Sequence, residues 1–346
     1  MSDGPEPANP SHRVRIAAVA TIVALTLGLS PEKAPGTVQA VPPAVGSPTV
    51  APATATAEAI DQLAEIMVQT SEPRYVAPTR RDQIGRIWAP VLINGRGPFR
   101  LVLDTGASSS GVTAMVALAL GIPTNASPHV MLRGVTGSAD VPAIRVDTLT
   151  VGDLAVDSAL LPIVPDALGG AEGFLGSDGL KNKRIFIDFR HDQISITFSR
   201  AERSARGFLT VPFKLVHEQL IVIDCKVGGV AAKAIIDTGG QATIGNVALR
   251  NALAEHNLGF RGKPDEIVGA TLAIEKGELI ATPAIIMGPI QIHDYGVTFA
   301  DVYIFRHWRY TSEPAIMVGM DALGTLDTLI IDYRRKELQI RMAKAG

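Results

Sequence analysis

Phe99-Arg100-Leu101-Val102-Leu103-Asp104-Thr105-Gly106 and Ala234-Ile235-Ile236-Asp237-Thr238-Gly239 carry the same pattern, an apolar run that ends in Asp-Thr-Gly. An apolar run of this length stopped by glycine reads as a buried strand entering a tight turn. A single copy is only a turn signal, because Asp and Gly both favour turns. Two copies in matching surroundings point to a chemistry that needs paired carboxylates. Facing Asp side chains cannot both ionise easily, so they share a proton; one then acts as base on a water while the other polarises a carbonyl.

The flanks of the two copies match. Val91-Leu92-Ile93, the turn Asn94-Gly95 and the strand up to Asp104 answer to Leu220-Ile221-Val222-Ile223, the turn Gly228-Gly229 and the strand up to Asp237. Asn-Gly and Gly-Gly suit hairpin turns, since both central positions accept positive φ. Beyond each Asp-Thr-Gly the period changes. Val112 to Leu120, closed by Gly121, and Val247 to Leu253, closed by Asn257-Leu258-Gly259, read as short helices. An apolar pair then precedes a glycine at Phe174-Leu175-Gly176 and Met317-Val318-Gly319, and each glycine is followed two positions on by Asp178 or Asp321. Each half closes on a strand, a charged turn and a strand: Arg184 to Phe189 with Gln193 to Ile196, then Thr328 to Tyr333 with Glu337 to Ile340. Asp188 and Asp332 precede these turns and read as structural or solvated. Asp237 follows Asp104 by 133 residues, far beyond solenoid periods, so the repeat implies duplicated lobes.

Composition fits this reading. The chain has 346 residues, 47% hydrophobic and 19% charged, with net charge -2, so it is globular and long enough for two lobes. The near-neutral balance, with no basic stripe, excludes a nucleic-acid footprint. Aromatics at 5% against 33 Gly and 23 Pro favour short strands and turns. Cys225 is the single cysteine, which rules out an intrachain disulfide or a thiolate cluster, and its apolar run suits a buried small hydrophobe. His217-Glu218 lacks the second His of a zinc-protease helix, since position 221 is Ile.

At the N-terminus, His12-Arg13-Val14-Arg15 precedes an uncharged, mostly apolar run from Ile16 to Leu29. The run is short of the ~20 residues of a membrane-spanning helix, and it fits the core of a signal peptide, with Val38-Gln39-Ala40 as a small-residue cleavage site. Residues 1–40 are therefore expected to be a signal peptide or a short membrane anchor, and the protein to be exported, periplasmic or secreted. Residues 41–84 read as a Pro/Ala-rich linker with a short amphipathic helix at Glu58 to Val68. Residues 85–200 and 208–343 form the two expected lobes, joined by the polar stretch Ser199 to Gly207.

With these residues in place, the chain resembles the aspartic peptidases of the retropepsin and pepsin group over residues 85–343. The resemblance rests on a strand ending in Asp-Thr-Gly, paired downstream with an apolar-apolar-Gly element, twice over. It implies an all-β fold of two similar β-barrel lobes with short helices and a cleft between them. It implies hydrolysis of peptide bonds in an extended peptide or protein substrate, with Asp104 and Asp237 as the catalytic pair. Thr105 and Thr238 would cross-link the two loops by hydroxyl bonds to the opposite backbone. Gly106 and Gly239 would let the backbone turn beneath the carboxyls, while Gly176 and Gly319 would let each apolar strand pass close to its loop. Because the protonated acid meets the developing charge, neither a metal nor another cofactor is needed.

Two Gly-containing hairpins are expected as flaps over the cleft, one with Gly134, Val135, Thr136 and Gly137, the other with Val268 and Gly269. Two flaps are retropepsin-like; no Tyr lies between Asp104 and Asp178, unlike the single Tyr-bearing flap of pepsins. The loops themselves differ. Ala107-Ser108 follows the first glycine where Gly240-Gln241 follows the second, all four being expected at substrate-binding positions. A duplicated chain has no need to dimerise, so a monomer is expected. The rival reading is a noncatalytic module that keeps the cleft to hold peptides; retention of both Asp residues favours the enzyme.

Overall fold

The computed structural model describes residues 66–69 and 86–342, save 126, 167–168, 218, 257–260 and 294. The candidate leader, nearly all of the expected linker and the Asn257-Leu258-Gly259 helix stop lie outside the described residues. The fold is mostly β, with a closed six-stranded barrel and a half-barrel.

The barrel arises from the first half. Trp88–Ile93 and Arg96–Leu103 form a hairpin whose turn residues Asn94 and Gly95 both take positive φ, 50° and 70°. Such a turn carries the twist that lets two strands stay paired. Val91, Ile93, Leu101 and Leu103 all face the core, each at most 2% exposed. The sheet continues through Gly173–Leu175, Gly111–Thr113, Leu154–Val164 and Ser138–Val151. It closes where Ser138–Val151 pairs back with Trp88–Ile93. His129–Arg133 adds a projecting hairpin with the start of Ser138–Val151.

The second half repeats the order in part. Leu220–Val227 and Val230–Ile236 form its hairpin, turning at Gly228 and Gly229 with φ 54° and 87°. Ala315–Val318 lies parallel to Val230–Ile236 and antiparallel to Ile244–Gly245, as Gly173–Leu175 lies between Arg96–Leu103 and Gly111–Thr113. Lys263–Val268 and Ile274–Thr282 form the second projecting hairpin.

The short helices start from local rules. Ala114–Leu120 ends on Gly121 at φ 73°, where a left-handed residue lets the last carbonyls find donors. Val112 and Thr113 belong to a strand instead of the helix expected there, because they pair with Gly173–Leu175 and Leu154–Val164. Val247–Glu255 starts from Asn246, whose side chain accepts from Leu249 N at 2.8 Å. The helix expected over Glu58 to Val68 is corrected at its end. Ile66–Gln69 is a strand, parallel to Ile290–His293, where it covers an edge that would otherwise present open N–H and C=O groups.

One further sheet ties the halves together. The closing strands of both, Lys183–Asp188 with Gln193–Phe198 and Leu326–Asp332 with Glu337–Met342, join with Leu209–Pro212 in a five-stranded sheet. Lys183–Asp188 pairs directly with Leu326–Asp332. Asp188 and Asp332 each cap a turn: Asp188 accepts from Arg190 N and His191 N, Asp332 from Arg334 N and Arg335 N. Asp332 is fully buried and also accepts from Ser199 Oγ at 2.9 Å beside the Arg184 guanidinium. Removing a buried charge of this kind leaves its partners unpaired. Asp332→Ala is expected to lower unfolding free energy by about 3 kcal/mol in urea titrations. Asp188→Ala, whose histidine partner is exposed, is expected to cost about 1 kcal/mol.

Candidate active site

Asp104 and Asp237 each follow the last residue of a central strand, and each backbone N–H is claimed by the neighbouring short strand. Asp104 N donates to Leu175 O at 2.9 Å and Asp237 N to Val318 O at 3.1 Å. Both side chains are fully buried. Asp104 Oδ1 accepts from Gly106 N at 2.9 Å and Ala107 N at 3.0 Å; Asp237 Oδ1 accepts from Gly239 N at 3.0 Å. The outer oxygens, Oδ2 of each, have no N–H or hydroxyl donor among the described residues. The two carboxyls do meet each other, and a hydrogen bond between them exists only if one carries a proton. Burial pushes Asp104 above the usual carboxylate range, with the loop N–H groups, the Asp237 carboxyl and Arg86 opposing it. Burial, joined by the Asp104 charge, pushes Asp237 well above that range. Both carboxyls are thus held above the ordinary range, and the pair titrates as a unit.

The threonines bind the loops to each other. Thr105 Oγ1 donates to Ile236 O at 2.8 Å and accepts from Thr238 N at 3.1 Å. Thr238 Oγ1 donates to Leu103 O at 2.7 Å and accepts from Thr105 N at 3.2 Å. Four bonds thus cross between the halves directly beneath the carboxyls. Gly239 has no room for a side chain, since a Cβ there would lie 2.3 Å from Asp104 Cγ. Gly176 and Gly319 are similarly enclosed: a Cβ would fall 2.4 Å from the Ser109 carbonyl carbon or 2.7 Å from Ala242 O. Gly106 is half-buried, and its part in the site is the N–H it gives to Asp104.

Ala107 is buried and its carbonyl accepts from Ser177 N and Ser177 Oγ, while Ser108 is exposed. In the second loop, the Gly240 carbonyl accepts from Met320 N at 2.7 Å and the Gln241 carbonyl from Asp321 N at 2.9 Å. Gln241 is half-buried, its side-chain oxygen enclosed without a donor among the described residues.

The two projecting hairpins meet at their tips. Gly134 N donates to Gly137 O at the tip of the first; Gly269 N donates to Ala273 O at the tip of the second, just past Val268. Gly269 N also donates to Thr136 Oγ1 at 3.0 Å, and Ile304 N donates to Val135 O at 3.0 Å. Val135 is buried among Ile235, Ile244, Ile304, Phe305 and Met317 of the second half. Ala270 is buried among Val102, Ala107, Val164 and Phe174 of the first. Each tip therefore seats in the opposite half.

Several residues here carry no mark in the sequence reading. Ser110 Oγ donates to Asp178 at 2.8 Å and accepts from Gly176 N; Thr243 Oγ1 donates to Asp321 at 2.8 Å and accepts from Gly319 N. Both hydroxyls stand six positions after their Asp, so aligning the copies a little farther would have found them. Arg86, fully buried, donates to Gly239 O at 3.1 Å. Tyr333 has a buried hydroxyl whose ionisation is pushed up by burial and by the Asp104 charge. Cys225, by contrast, is buried as its apolar run implies, and burial pushes its thiol up to about 12, far from a reactive thiolate.

Residues 89–178 match the family model for aspartyl proteases. The matched stretch runs from the first hairpin past Asp104 and Gly176 to Asp178, so the first half is similar to that family, and the match supports aspartic protease function in general. No curated protein matches the chain.

Two outcomes follow from this geometry. Thr238→Val removes one donor and one acceptor beneath the pair and is expected to cost about 2 kcal/mol in chemical unfolding. Asp237→Asn is expected to raise the Tm at pH 7. The folded state holds Asp237 protonated or at a penalty, whereas the unfolded state ionises it freely near pH 4. The stability associated with its raised pKa is present below about pH 4 and lost as pH rises, so the gain from Asn must fade on acidification. A Tm difference constant from pH 3 to pH 7 would contradict the buried, proton-sharing arrangement.

Proposed function

We propose that the chain is an aspartic endopeptidase, built from two retropepsin-like repeats in one polypeptide, residues 85–200 and 208–343, with Asp104 and Asp237 as its catalytic pair. One observation carries the proposal: two fully buried carboxyls meet on matching loops that Thr105 and Thr238 lock together. A buried ionisable pair is costly to stability, which makes a chemical role the economical reading. The family match over residues 89–178 supports the same chemistry.

In the proposed reaction a water lies between the carboxyls and the scissile carbonyl. The ionised carboxyl takes a proton from the water as its oxygen bonds to the carbonyl carbon. The protonated carboxyl gives its proton to the carbonyl oxygen, so the tetrahedral intermediate forms without a build-up of charge. As the C–N bond breaks, the first carboxyl passes its proton to the leaving nitrogen. The second recovers a proton from the intermediate's hydroxyl as the carbonyl re-forms, which restores the starting state.

An extended peptide suits this site because the hairpins can add to it as strands. In this reading the tips, which seat in the opposite halves, act as flaps and part before a substrate enters. Gly134, Val135, Thr136 and Gly137 with Val268 and Gly269 are the proposed gripping residues, aided by the Ala107-Ser108 and Gly240-Gln241 turns. The basic segment and apolar run before Leu29 support export, either through a cleaved leader or on a membrane anchor. A monomer suffices, since both carboxyls come from one chain.

The deciding assay is cleavage of a denatured protein pool by wild type, Asp104→Asn and Asp237→Asn between pH 3 and pH 7. Wild type should cut, and each variant should lose about 10³-fold in rate, the scale of acid–base catalysis by a positioned group. Equal turnover by all three would sink the mechanism, and no turnover by a folded wild type would leave a peptide-holding module.

A further inference from the structure

The hairpin tips meet at positions related by the repeat. Thr136 and Gly269 stand 133 residues apart, the spacing of Asp104 and Asp237, and the Gly269 N–H donates to Thr136 Oγ1. The contact is close, since a Cβ on Gly269 would fall 2.5 Å from that oxygen. The seats that hold these matching tips are unlike.

The difference lies in one connection of each half. Residues 165–172 join Leu154–Val164 to Gly173–Leu175 in the first; the longer run 300–314 joins Tyr295–Phe299 to Ala315–Val318 in the second. The joined strands are counterparts, because Gly111–Thr113 lies between the first two as Ile244–Gly245 lies between the second two. The longer run forms the short helix Tyr303–His307, and Trp308 N and Tyr310 N bond back to Ile304 O and Phe305 O. Asn246 fastens it, with Nδ2 donating to Tyr310 O at 2.6 Å and to Glu313 O at 2.8 Å. The first N–H groups of a helix have no partner within it. Here the Ile304 N–H goes to Val135 O on the first tip, at 3.0 Å. Phe305, Trp308 and Tyr310 belong to the buried cluster that encloses the Val135 side chain.

The second tip has less to hold it. It seats Ala270 in the first half, in a cluster with Ala107 and Ala171. Among the described residues, no backbone bond ties this tip to residues 165–172. Leu272 beside it is more than half exposed and sits at φ 61°, a costly region for a bulky side chain. Lifting either tip breaks the bond between Gly269 and Thr136. Lifting the first also breaks the Val135–Ile304 bond and exposes a valine in place of an alanine. Two more buried carbons and one more hydrogen bond separate the two openings by about a hundredfold.

Resting on the peptidase reading above, we propose that the first hairpin is a fixed wall of the site, pinned by the run 300–314, and that the second hairpin is its gate. A substrate enters when the hairpin of Lys263–Val268 and Ile274–Thr282 lifts alone. That movement uncovers Ala107, whose N–H holds Asp104 Oδ1, while Val135 stays in the second half.

Spin labels on the full chain read this motion without catalysis. Cys225 is buried, so the native thiol does not compete for the label. Leu272→Cys marks the second tip and Ser138→Cys the first, each paired with Ser195→Cys on the five-stranded sheet; all three positions are exposed. Pulsed dipolar distances should show one population for the Ser138 pair and two for the Leu272 pair. Thr136→Val takes the acceptor from the Gly269 N–H, so it should enlarge the displaced Leu272 population about fivefold and leave the Ser138 pair unchanged. Like distributions in the two pairs, in wild type and in Thr136→Val, would overturn the proposal even if the enzyme cuts. A second population confined to the Ser138 pair would overturn it too. Unlike distributions of the expected kind in a protein that cuts nothing would overturn the peptidase reading and leave the unequal hairpins standing.

Discussion

Two carboxyl groups pressed together out of water repel as soon as both are charged, and the centre of this protein is arranged to hold them there. The holding is done by backbone. Central strands deliver Asp104 and Asp237, short strands claim their N–H groups, and Thr105 and Thr238 cross-link the loops with four bonds. Gly239 then lets the second loop come within contact of the first carboxyl, where any side chain would collide. The surrounding apolar core supplies the stability that this arrangement consumes.

Much of the frame was legible in the sequence because it is local. Asn94-Gly95 and Gly228-Gly229 encode hairpin turns through their tolerance of positive φ, and Gly121 encodes a helix stop. What escaped was set by partners distant in the chain. Val112 and Thr113 carry a helix-compatible pattern, yet strand pairing with Gly173–Leu175 and Leu154–Val164 decides their conformation. Ile66–Gln69 likewise takes its form from an edge more than two hundred residues away. The terminal hairpins were visible as strands, but nothing local says that Lys183–Asp188 pairs with Leu326–Asp332.

The candidate site divides along the same line. Its paired carboxyls and threonines stand out because they recur at one spacing. Ser110 and Thr243 recur too, but one is Ser and the other Thr, and neither lies inside the tripeptide. Arg86 has no counterpart in the second half and so gives repetition nothing to find. The loops also differ after the tripeptide, Ala107-Ser108 against Gly240-Gln241, a difference plain in the sequence whose setting only the structure supplies.

The five-stranded sheet has a consequence for how the centre assembles. A site made from two separate chains dissolves on dilution, since each half must find a partner at a rate set by concentration. Here strands of both halves lie side by side in one sheet, within one polypeptide, so each loop meets the other at a fixed high local concentration. Assembly of the pair is therefore first order. No encounter between separate chains is needed to bring the two carboxyls together.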